Sequence, residues 1–499
     1  MSRIIFEIEG WAKKSSHKIA LRSGKVDVSY GELVVKIDEI AQYLLQNNHK
    51  MAAIMAPNCV EWVIFDLACL KAGVSCVAIP HFFSKDQIEG LLKNCSPSFV
   101  FLSEGVDFNY SANFESRQEK SGIFGFDGFS AFEFDGLVTP QDCLTGLHPK
   151  CAKITYTSGS TGEAKGVCLS LSQIENVVFA LKERVGEENV AVNLSILPFS
   201  VLLENVGGIY LSLVCGGVCI VLSASEIGLE NSSKVDVEKM ALAINEYRPS
   251  SVILVPQLAK IMIALVKKGL VSSNHFRFIA LGGARVSDSL LFEAQNLSMP
   301  IFQGYGLSEV SSVVSLNNIT DNKIGSVGKA LPHIEVKIAK DGEVLLKNNL
   351  FLGYLGGEYF DEEWHKTGDI GKIDEEGFLW IKDRKKNIFI TSFGRNVSPS
   401  WIESEFLKSD KIAQIFVHGE ARPFNVGVIT SLTKDVDDLQ KEVDEINLTL
   451  PDYARIAKII VTKRPFSFEN GLLTGNLRPK RQKIYEFYEN EIEKIYREN

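Results

Sequence analysis

Paired cysteines and clustered histidines, the usual ligands of structural metal sites, are missing from this 499-residue sequence. Its nine cysteines stand singly among apolar residues, and none forms a CxxC pair. This spacing excludes a zinc ribbon or a disulfide scaffold and predicts reduced, buried thiols. Internal repeats and low-complexity segments are missing as well, and a composition of 45% hydrophobic and 23% charged residues is typical of a globular protein.

An excess of positive charge is also lacking. The formal net charge is −9, whereas binding to nucleic acids depends mostly on Lys and Arg side chains that neutralise phosphates. We therefore expect no nucleic-acid partner.

Long uninterrupted apolar runs are scarce. Glu7 and Glu9 interrupt the N-terminal stretch in which a signal peptide needs its apolar core, so we expect a cytoplasmic protein. The eighteen residues 206–223 are uncharged and have the length of a membrane span, but four glycines interrupt them and Glu204 lies beside them. We interpret this stretch as a helix followed by a buried strand. We expect no transmembrane segment, while contact with a membrane surface remains open.

Short apolar runs alternate with helical patterns, which is typical of parallel strands in an α/β fold. A chain of this length is also too long to fold around a single hydrophobic core, which predicts a second domain. After residue 384 the pattern changes to a Lys-rich turn, a short helix near Trp401, two strands and a helix from Val436. We expect an α/β body with mostly parallel sheets over residues 1–384 and a smaller α+β domain over residues 385–499. The predicted body strands are 52–56, 76–79, 99–102, 251–255 and 278–281.

The segment 154–167 reads ITYTSGSTGEAKGV and combines hydroxyls, glycines and one lysine. Glycines let backbone N–H groups approach phosphate oxygens, and hydroxyls and an ammonium add further donors. Gly166 after Lys165 excludes the loop of P-loop NTPases, which has Ser or Thr there. A solvated Ser/Gly loop is the alternative, which the lysine and the apolar flanks disfavour. The predicted phosphate site comprises Thr157, Ser158, Gly159, Ser160, Thr161, Gly162 and Lys165.

The loop TSGSTGEAKG resembles the signature of the acyl-adenylate-forming (AMP-binding) superfamily, which includes acyl-CoA synthetases, firefly luciferase and peptide-synthetase adenylation domains. Further similar segments follow in order from residues 58–62 to Arg481. The resemblance implies a large adenylating body and a small mobile C-terminal domain. It also implies that a carboxylic acid reacts with ATP and Mg²⁺ to give an acyl-AMP, which a thiol then attacks.

Two further segments resemble the adenine-binding parts of the family. LGGAR at 281–285 implies that Gly283 and Ala284 lie at the adenine. In QGYGLSE at 303–309, the Tyr305 ring can stack on adenine, and the flanking Gly304 and Gly306 would permit its close approach.

The same resemblance assigns the phosphate, metal and ribose contacts. Ser308 would contact phosphate, and Glu309 would hold Mg²⁺, which binds one or two carboxylates together with phosphate oxygens and water. Asp369 and Arg384, in KTGD and KDR, would bind the ribose. Taken alone, Glu309 would be a solvated loop residue and Asp369 a turn residue after a glycine.

The remaining resemblances concern the small domain. Lys386 lies at the position of the family's hinge, although a run such as RKK is usually a solvated turn. Residues 394–399 resemble a loop that enters the active site for thioester formation. The family's C-terminal catalytic lysine falls in register on Arg478, and Lys480 follows two residues later. We expect Arg478 to make the direct contact and Lys480 to support it.

The sequence departs from the family at Val201, where many members have a histidine. Its LPxxxxxE pattern at 197–204 and its segment 470–474 both resemble the long-chain fatty acyl-CoA synthetases. This favours an acyl-CoA synthetase that uses a medium- or long-chain fatty acid with ATP, Mg²⁺ and coenzyme A. A fatty acyl-AMP ligase that loads an acyl carrier protein remains an alternative. A nucleotide-binding pseudoenzyme, which the missing histidine favours, is another.

Overall fold

The computed structural model describes residues 2–24, 26–81, 83, 85–103, 117–134, 147–158, 164–229, 235–474 and 478–498. A π-helix, Glu204–Tyr210, runs directly into one of the α-helices. The α-helices in these ranges are α1 (Arg3–Lys14), α2 (Tyr30–Gln46), α3 (Val60–Ala72), α4 (Lys85–Cys95), α5 (Leu171–Val185), α6 (Leu211–Val214), α7 (Val237–Tyr247), α8 (Pro256–Lys267), α9 (Asp288–Asn296), α10 (Pro399–Phe406), α11 (Val436–Leu448) and α12 (Arg481–Glu498).

The strands alternate with helices through most of the chain. They are β1 (Ile19–Arg22), β2 (Asp27–Ser29), β3 (Met51–Met55), β4 (Ser75–Ala78), β5 (Phe99–Ser103), β6 (Arg117–Ser121), β7 (Phe129–Phe134), β8 (Cys151–Ser158), β9 (Ala164–Ser170), β10 (Val192–Ser195), β11 (Val218–Val221), β12 (Ser251–Leu254), β13 (Phe278–Leu281), β14 (Ile301–Tyr305), β15 (Ser315–Leu316), β16 (Lys329–Ala330), β17 (Glu335–Ile338), β18 (Glu343–Lys347), β19 (Gly353–Tyr354), β20 (His365–Ile373), β21 (Leu379–Arg384), β22 (Phe389–Ile390), β23 (Asn396–Val397), β24 (Ile412–His418), β25 (Asn425–Ser431) and β26 (Ile456–Val461).

Two large sheets form the body. The nine-stranded sheet has the order β16-β15-β14-β13-β12-β10-β11-β1-β2, and its strands from β14 to β1 are parallel. The eight-stranded sheet has the order β19-β9-β8-β4-β3-β5-β7-β6, with β8, β4, β3 and β5 parallel. The α/β fold is confirmed, and the five strands predicted from apolar runs lie within one residue of β3, β4, β5, β12 and β13.

The sequence pattern does not predict a third sheet, β17-β18-β20-β21, which is wholly antiparallel. Its strands bury few consecutive residues, so no apolar run marks them. Strands after Arg384 form two separate small sheets, β22-β23 and β24-β25-β26. Among the described residues, no sheet joins strands from both sides of Arg384. A domain boundary at this point stays a prediction.

The largest hydrophobic core lies between the two large sheets and includes α2, α3, α5 and the π-helix. Strand side chains alternate across the nine-stranded sheet: Cys219 and Val221 face this core, whereas Ile220 faces a second core under α7, α8 and α9. The predicted capping box of α2 is present between Ser29 and Glu32. Its predicted apolar face is buried, namely Leu33, Ile37, Ile40, Ala41 and Leu44.

The uncharged stretch 206–223 forms the π-helix, α6 and β11, as its glycines predicted. No helix within the described ranges is long and apolar enough to span a bilayer. The eight cysteines that the structure describes are free thiols; seven are buried and Cys59 is half-buried.

A buried ion pair connects the layers of the body. Lys153 on β8 and Asp66 on α3 are 2% and 1% exposed, and Lys153 Nζ lies 2.5 Å from Asp66 Oδ1. The π-helix completes the network. Asn205 Oδ1 accepts from Lys153 at 2.7 Å, and Tyr210 OH donates to Asp66 Oδ2 at 2.5 Å. Because each charge is paired and hydrogen-bonded, removing one partner would leave the other charge buried and uncompensated.

We therefore expect Lys153→Met to lower the free energy of unfolding by about 3–5 kcal/mol, because it isolates the Asp66 carboxylate. Asp27→Asn, which breaks an exposed pair with Arg22, is the matched control and should cost at most about 1 kcal/mol. Urea unfolding of the two variants measures both effects. Equal stability of the two variants would show that the buried network contributes no more than a surface pair.

Candidate active site

A cleft of about 2320 Å³ lies where the loops after β13 and β14 meet the third sheet, Thr474 and the residues 478–483. Most of the residues singled out in the sequence line it. Gly159, Ser160, Thr161 and Gly162 lie outside the described residues. The remaining ones can be placed one by one.

Asp369 occupies the centre of the polar part of the cleft. It lies on β20 directly opposite Arg384 on β21, and Arg384 Nε is 2.8 Å from Asp369 Oδ1. Tyr305 OH, at the end of β14, donates to Asp369 Oδ2 at 2.5 Å. Burial raises the pKa of the Asp369 carboxyl, and the nearby Arg384 charge opposes that shift. These contacts fix the Tyr305 ring and leave each carboxylate oxygen able to accept a further hydrogen bond.

The glycines around Tyr305 are required by packing within the chain itself. A Cβ on Gly306 would lie 1.5 Å from the Ser312 carbonyl oxygen, and one on Gly304 would lie 2.9 Å from Leu316 Cδ1. The close approach is therefore made by residues 312–316 of the same chain, which pair with β14 through β15. That Gly304 and Gly306 also permit the approach of an adenine ring stays a prediction.

Glu309 and Lys165 lie near one tyrosine that the sequence analysis missed. Tyr354 OH donates to Glu309 Oε1 at 3.0 Å, and Lys165 Nζ lies 5.2 Å from the Tyr354 ring centroid. Burial and the negative charge of Glu309 raise the pKa of the Tyr354 hydroxyl. Tyr354 follows Gly353, whose φ of +125° is rare for other residues. In the sequence, a glycine directly before a tyrosine was the signal that could have pointed to Tyr354.

Glu309 alone cannot complete the coordination of a Mg²⁺ ion, so a bound nucleotide would have to supply further oxygen ligands. The described residues contain no group of three or more His, Cys, Asp or Glu side chains placed to hold a metal. Glu309 is half-buried and lines the cleft, so it can offer one carboxylate, with phosphate oxygens and water as the other ligands.

The predicted phosphate loop lies in the sequence between β8 and β9, and β9 carries Lys165. β8 and β9 form an antiparallel pair that extends to Thr157 opposite Lys165 and Ser158 opposite Ala164. The exposed Lys165 lines the cleft at the start of β9. Of Thr157, Ser158 and Lys165, only Lys165 lines the cleft among the described residues, and a phosphate site formed by the three stays a prediction.

The loops after β13 and β14 complete this side of the cleft. Gly283 has φ +95°, a conformation that favours glycine, and it lines the cleft together with Ala284 and Ser308. Arg285 Nη1 donates to the Lys382 carbonyl at 2.8 Å and joins this loop to β21.

The two C-terminal cations point to different partners. The Arg478 backbone N–H donates to Thr474 Oγ1 at 3.0 Å, and its guanidinium interacts electrostatically with Arg384, Asp369 and Tyr305. Burial, and then the charge of Arg384, lower the pKa of Arg478, and its Nε has no hydrogen-bond partner among the described residues. Lys480 Nζ lies instead 5.9 Å from the Phe468 ring centroid. The structure brings Arg478, but not Lys480, to Asp369.

The small C-terminal part contacts the body through residues that the sequence analysis did not single out. Lys260 on α8 donates to the carbonyls of Leu407 and Ser409, at 3.1 and 2.5 Å, at the end of α10. Asp383 accepts from the Ser398 hydroxyl at 2.6 Å and from the Ser400 hydroxyl at 2.9 Å. In both contacts the two partners are distant in sequence, so no local sequence pattern predicts them.

Lys386 lies in an exposed turn between these contacts. Lys385 Nζ is 2.7 Å from Asp341 Oδ2 and 3.1 Å from Glu343 Oε2, so the preceding residue is fixed to the third sheet.

An apolar extension of the cleft runs between the two large sheets. Val313 and the loop 197–203 contribute to its lining. Asn58 holds this loop by donating to the Leu197 carbonyl at 2.8 Å and accepting from the Phe199 N–H at 2.9 Å. The side chains that enclose the extension include Leu181, Val185, Leu211, Phe278, Val313 and Leu316.

Comparison with known proteins gives consistent matches over nearly the whole chain. Residues 8–354 match the model of the AMP-binding enzyme family, and residues 386–499 match that of the AMP-binding enzyme C-terminal domain. The chain is 33% identical to the long-chain-fatty-acid–CoA ligase FadD15 of Mycobacterium tuberculosis, over 87% of this chain and 86% of that protein.

Two solved structures share the fold. O-succinylbenzoate coenzyme A synthetase from Bacillus subtilis, in complex with ATP and a magnesium ion, is 22% identical with a TM-score of 0.73, covering 95% of this chain and 98% of that one. The anthranilate CoA ligase AuaEII in complex with anthranoyl-AMP is 15% identical with a TM-score of 0.79, covering 97% and 96%.

Proposed function

The chain belongs to the AMP-binding enzyme family, and we propose that it joins a medium- or long-chain fatty acid to coenzyme A through an acyl-AMP. The observation that carries this proposal is the shape of the cleft. A polar part built around Asp369 continues into the apolar extension between the sheets. One part suits a nucleotide and the other an alkyl chain.

The charges of the polar part suit the adenylation step. Arg384 pairs with Asp369, and the buried Arg478 interacts electrostatically with both, so two guanidinium groups are available near the place proposed for a phosphate. In this step the substrate carboxylate attacks the α-phosphorus of ATP and pyrophosphate leaves. Arg478 and Lys165 neutralise the charge that develops on the phosphates, while Asp369 accepts hydrogen bonds from the ribose hydroxyls. Mg²⁺ beside Glu309 would add charge neutralisation.

In the second step the thiol of coenzyme A attacks the acyl carbonyl, and AMP leaves. A carrier-protein thiol is the alternative acceptor, and formation of acyl-CoA with coenzyme A as the sole thiol distinguishes the two.

The apolar extension favours an alkyl chain over a dicarboxylic acid such as 2-succinylbenzoate. The described side chains that enclose it are uncharged, and a second carboxylate buried there would have no cation to pair with. Pyrophosphate release should therefore be fastest with fatty acids in a panel that also contains 2-succinylbenzoate and anthranilate. Preference for either aryl acid would refute the proposed substrate class, and ATP binding without pyrophosphate release would identify a pseudoenzyme.

We expect Glu309→Gln to abolish most ATP–pyrophosphate exchange at limiting Mg²⁺, because the amide cannot replace the only carboxylate that we assign to the metal. Glu375→Gln, at an exposed position away from the cleft, is the matched control. Exchange assays across a Mg²⁺ titration measure the effect. Wild-type exchange in Glu309→Gln at low Mg²⁺ would show that the metal binds elsewhere.

Arg478→Ala should slow adenylation by about a hundredfold, as when one positioned electrostatic donor is lost. Lys480→Ala should keep most of the activity, since Lys480 contacts Phe468 rather than Asp369. Thioester formation from supplied acyl-AMP should survive in both variants. If pyrophosphate exchange fell only in Lys480→Ala, the electrostatic role in adenylation would belong to that lysine. Unchanged exchange in both variants would show that neither residue takes part in adenylation.

We also propose that the boundary of the mobile domain lies at 384/385, with Lys386 as the hinge. The observed orientation holds Arg478 at Asp369 and is fastened by Lys260 to the end of α10, which suits adenylation.

Lys386→Pro should therefore spare acyl-AMP formation and slow thioester formation, because proline fixes φ and obstructs the rotation between the two steps. Lys386→Ala, which keeps backbone freedom, is the control. Single-turnover assays of each half-reaction measure the difference, and equal slowing of both half-reactions by proline would exclude a hinge at this residue.

A further inference from the structure

A pair of stacked aromatic rings connects the body to the small C-terminal part. Phe83 lies between β4 and α4, and Phe468 lies between β26 and α12. Their ring centroids are 5.6 Å apart and their planes differ by 15°, which is a stacked arrangement. Both residues are half-buried and both line the cleft. The chemistry of the two proposed steps does not use either ring.

Each ring is fixed to its own side of the pair. The Phe83 ring packs against the core between the eight-stranded sheet and α4. Phe468 begins a turn in which the Gly471 N–H donates to the Phe468 carbonyl at 2.9 Å. Leu473 follows this turn and is buried in a core with α12. A movement of the small part relative to the body would therefore change the distance between the two rings.

The turn that carries Phe468 is also joined to the segment that carries Arg478. Leu473 pairs with Pro479 in an antiparallel bridge. Beside this bridge, the Thr474 N–H donates to the Arg478 carbonyl at 2.8 Å. The stacked ring and the guanidinium that interacts with the carboxylate at the centre of the cleft thus belong to one hydrogen-bonded unit.

We propose that the stack of Phe83 on Phe468 favours the adenylation orientation of the small part and thereby positions Arg478. This inference rests on the proposed function, in which the small part rotates about Lys386 between the two steps. A rotation that withdraws Arg478 from the cleft also separates the rings, so the stack stabilises only one of the two orientations. Phe83 acts through Arg478, which makes it a positioning residue.

The test measures the two half-reactions separately in single turnovers. One is acyl-AMP formation from dodecanoic acid and ATP, and the other is thioester formation from supplied dodecanoyl-AMP and coenzyme A. The first rate follows the population in the adenylation orientation and the second rate follows the population in the other orientation, so their ratio follows the equilibrium between the two. Phe83→Ala should lower this ratio by about three- to tenfold, the scale of one aromatic pair.

Further variants separate positioning from a general loss of stability. Phe468→Ala should lower the ratio as Phe83→Ala does, and the double variant should lower it no further, because the two side chains act as one pair. Phe83→Tyr, which keeps a ring for stacking, should retain the wild-type ratio. Phe292→Ala is the matched control, since Phe292 is exposed on α9 and does not line the cleft, and it should leave the ratio unchanged.

An unchanged ratio in Phe83→Ala would overturn the inference, and this includes equal slowing of both half-reactions, which is what a purely structural role would cause. Independent effects of the two alanines in the double variant would overturn it as well. In these cases acyl-CoA formation by the wild-type protein leaves the proposed function standing. No pyrophosphate release with any acid would instead refute the proposed function, and this inference with it.

Discussion

The buried carboxylate of Asp369 joins three segments that are far apart in sequence. Tyr305 contacts it from β14 and Arg384 from the neighbouring strand of the third sheet, and Arg478 in the C-terminal part of the chain interacts with it electrostatically. A carboxylate at 5% exposure is costly unless it is paired, so its neutralisation depends on all three segments being in place. The geometry of the polar cleft follows from this one requirement.

The charges around this carboxylate influence the orientation of the small C-terminal part. Arg478 and Arg384 repel each other, and one carboxylate cannot neutralise both. An anionic phosphate between the arginines would relieve that repulsion and favour the orientation in which Arg478 is inserted. Contacts remote from the cleft, such as Lys260 with the end of α10, support the same orientation. Loss of the phosphate charge with pyrophosphate would weaken it, which suits a domain that must then rotate.

Local chemistry made much of this fold predictable. The buried parallel strands follow from short apolar runs, and α2 follows from its capping box and apolar face. The third sheet gave no such signal, because β17 buries none of its residues and β20 buries only Thr367 and Asp369 of its nine. The packing requirement at Gly306 was not predictable either, because the carbonyl of Ser312 that approaches it is brought there by the tertiary fold.

The site was predictable as a set of residues but not as a set of contacts. Asp369, Arg384 and Tyr305 could be named from motifs, yet the hydrogen bonds among them depend on strand register. Lys480 was expected to lie on the face of Arg478, but its ammonium group lies over the Phe468 ring. Tyr354 became visible only when packing showed which carboxylate it faces.

A crystal structure with a non-hydrolysable dodecanoyl-adenylate analogue tests the central claim most directly. The account predicts ribose hydroxyls within hydrogen-bond distance of Asp369, Arg478 against the phosphate mimic, and the alkyl chain in the extension beside Phe278 and Leu316. An adenosine bound away from Asp369, or an alkyl chain that leaves the extension empty, would contradict it.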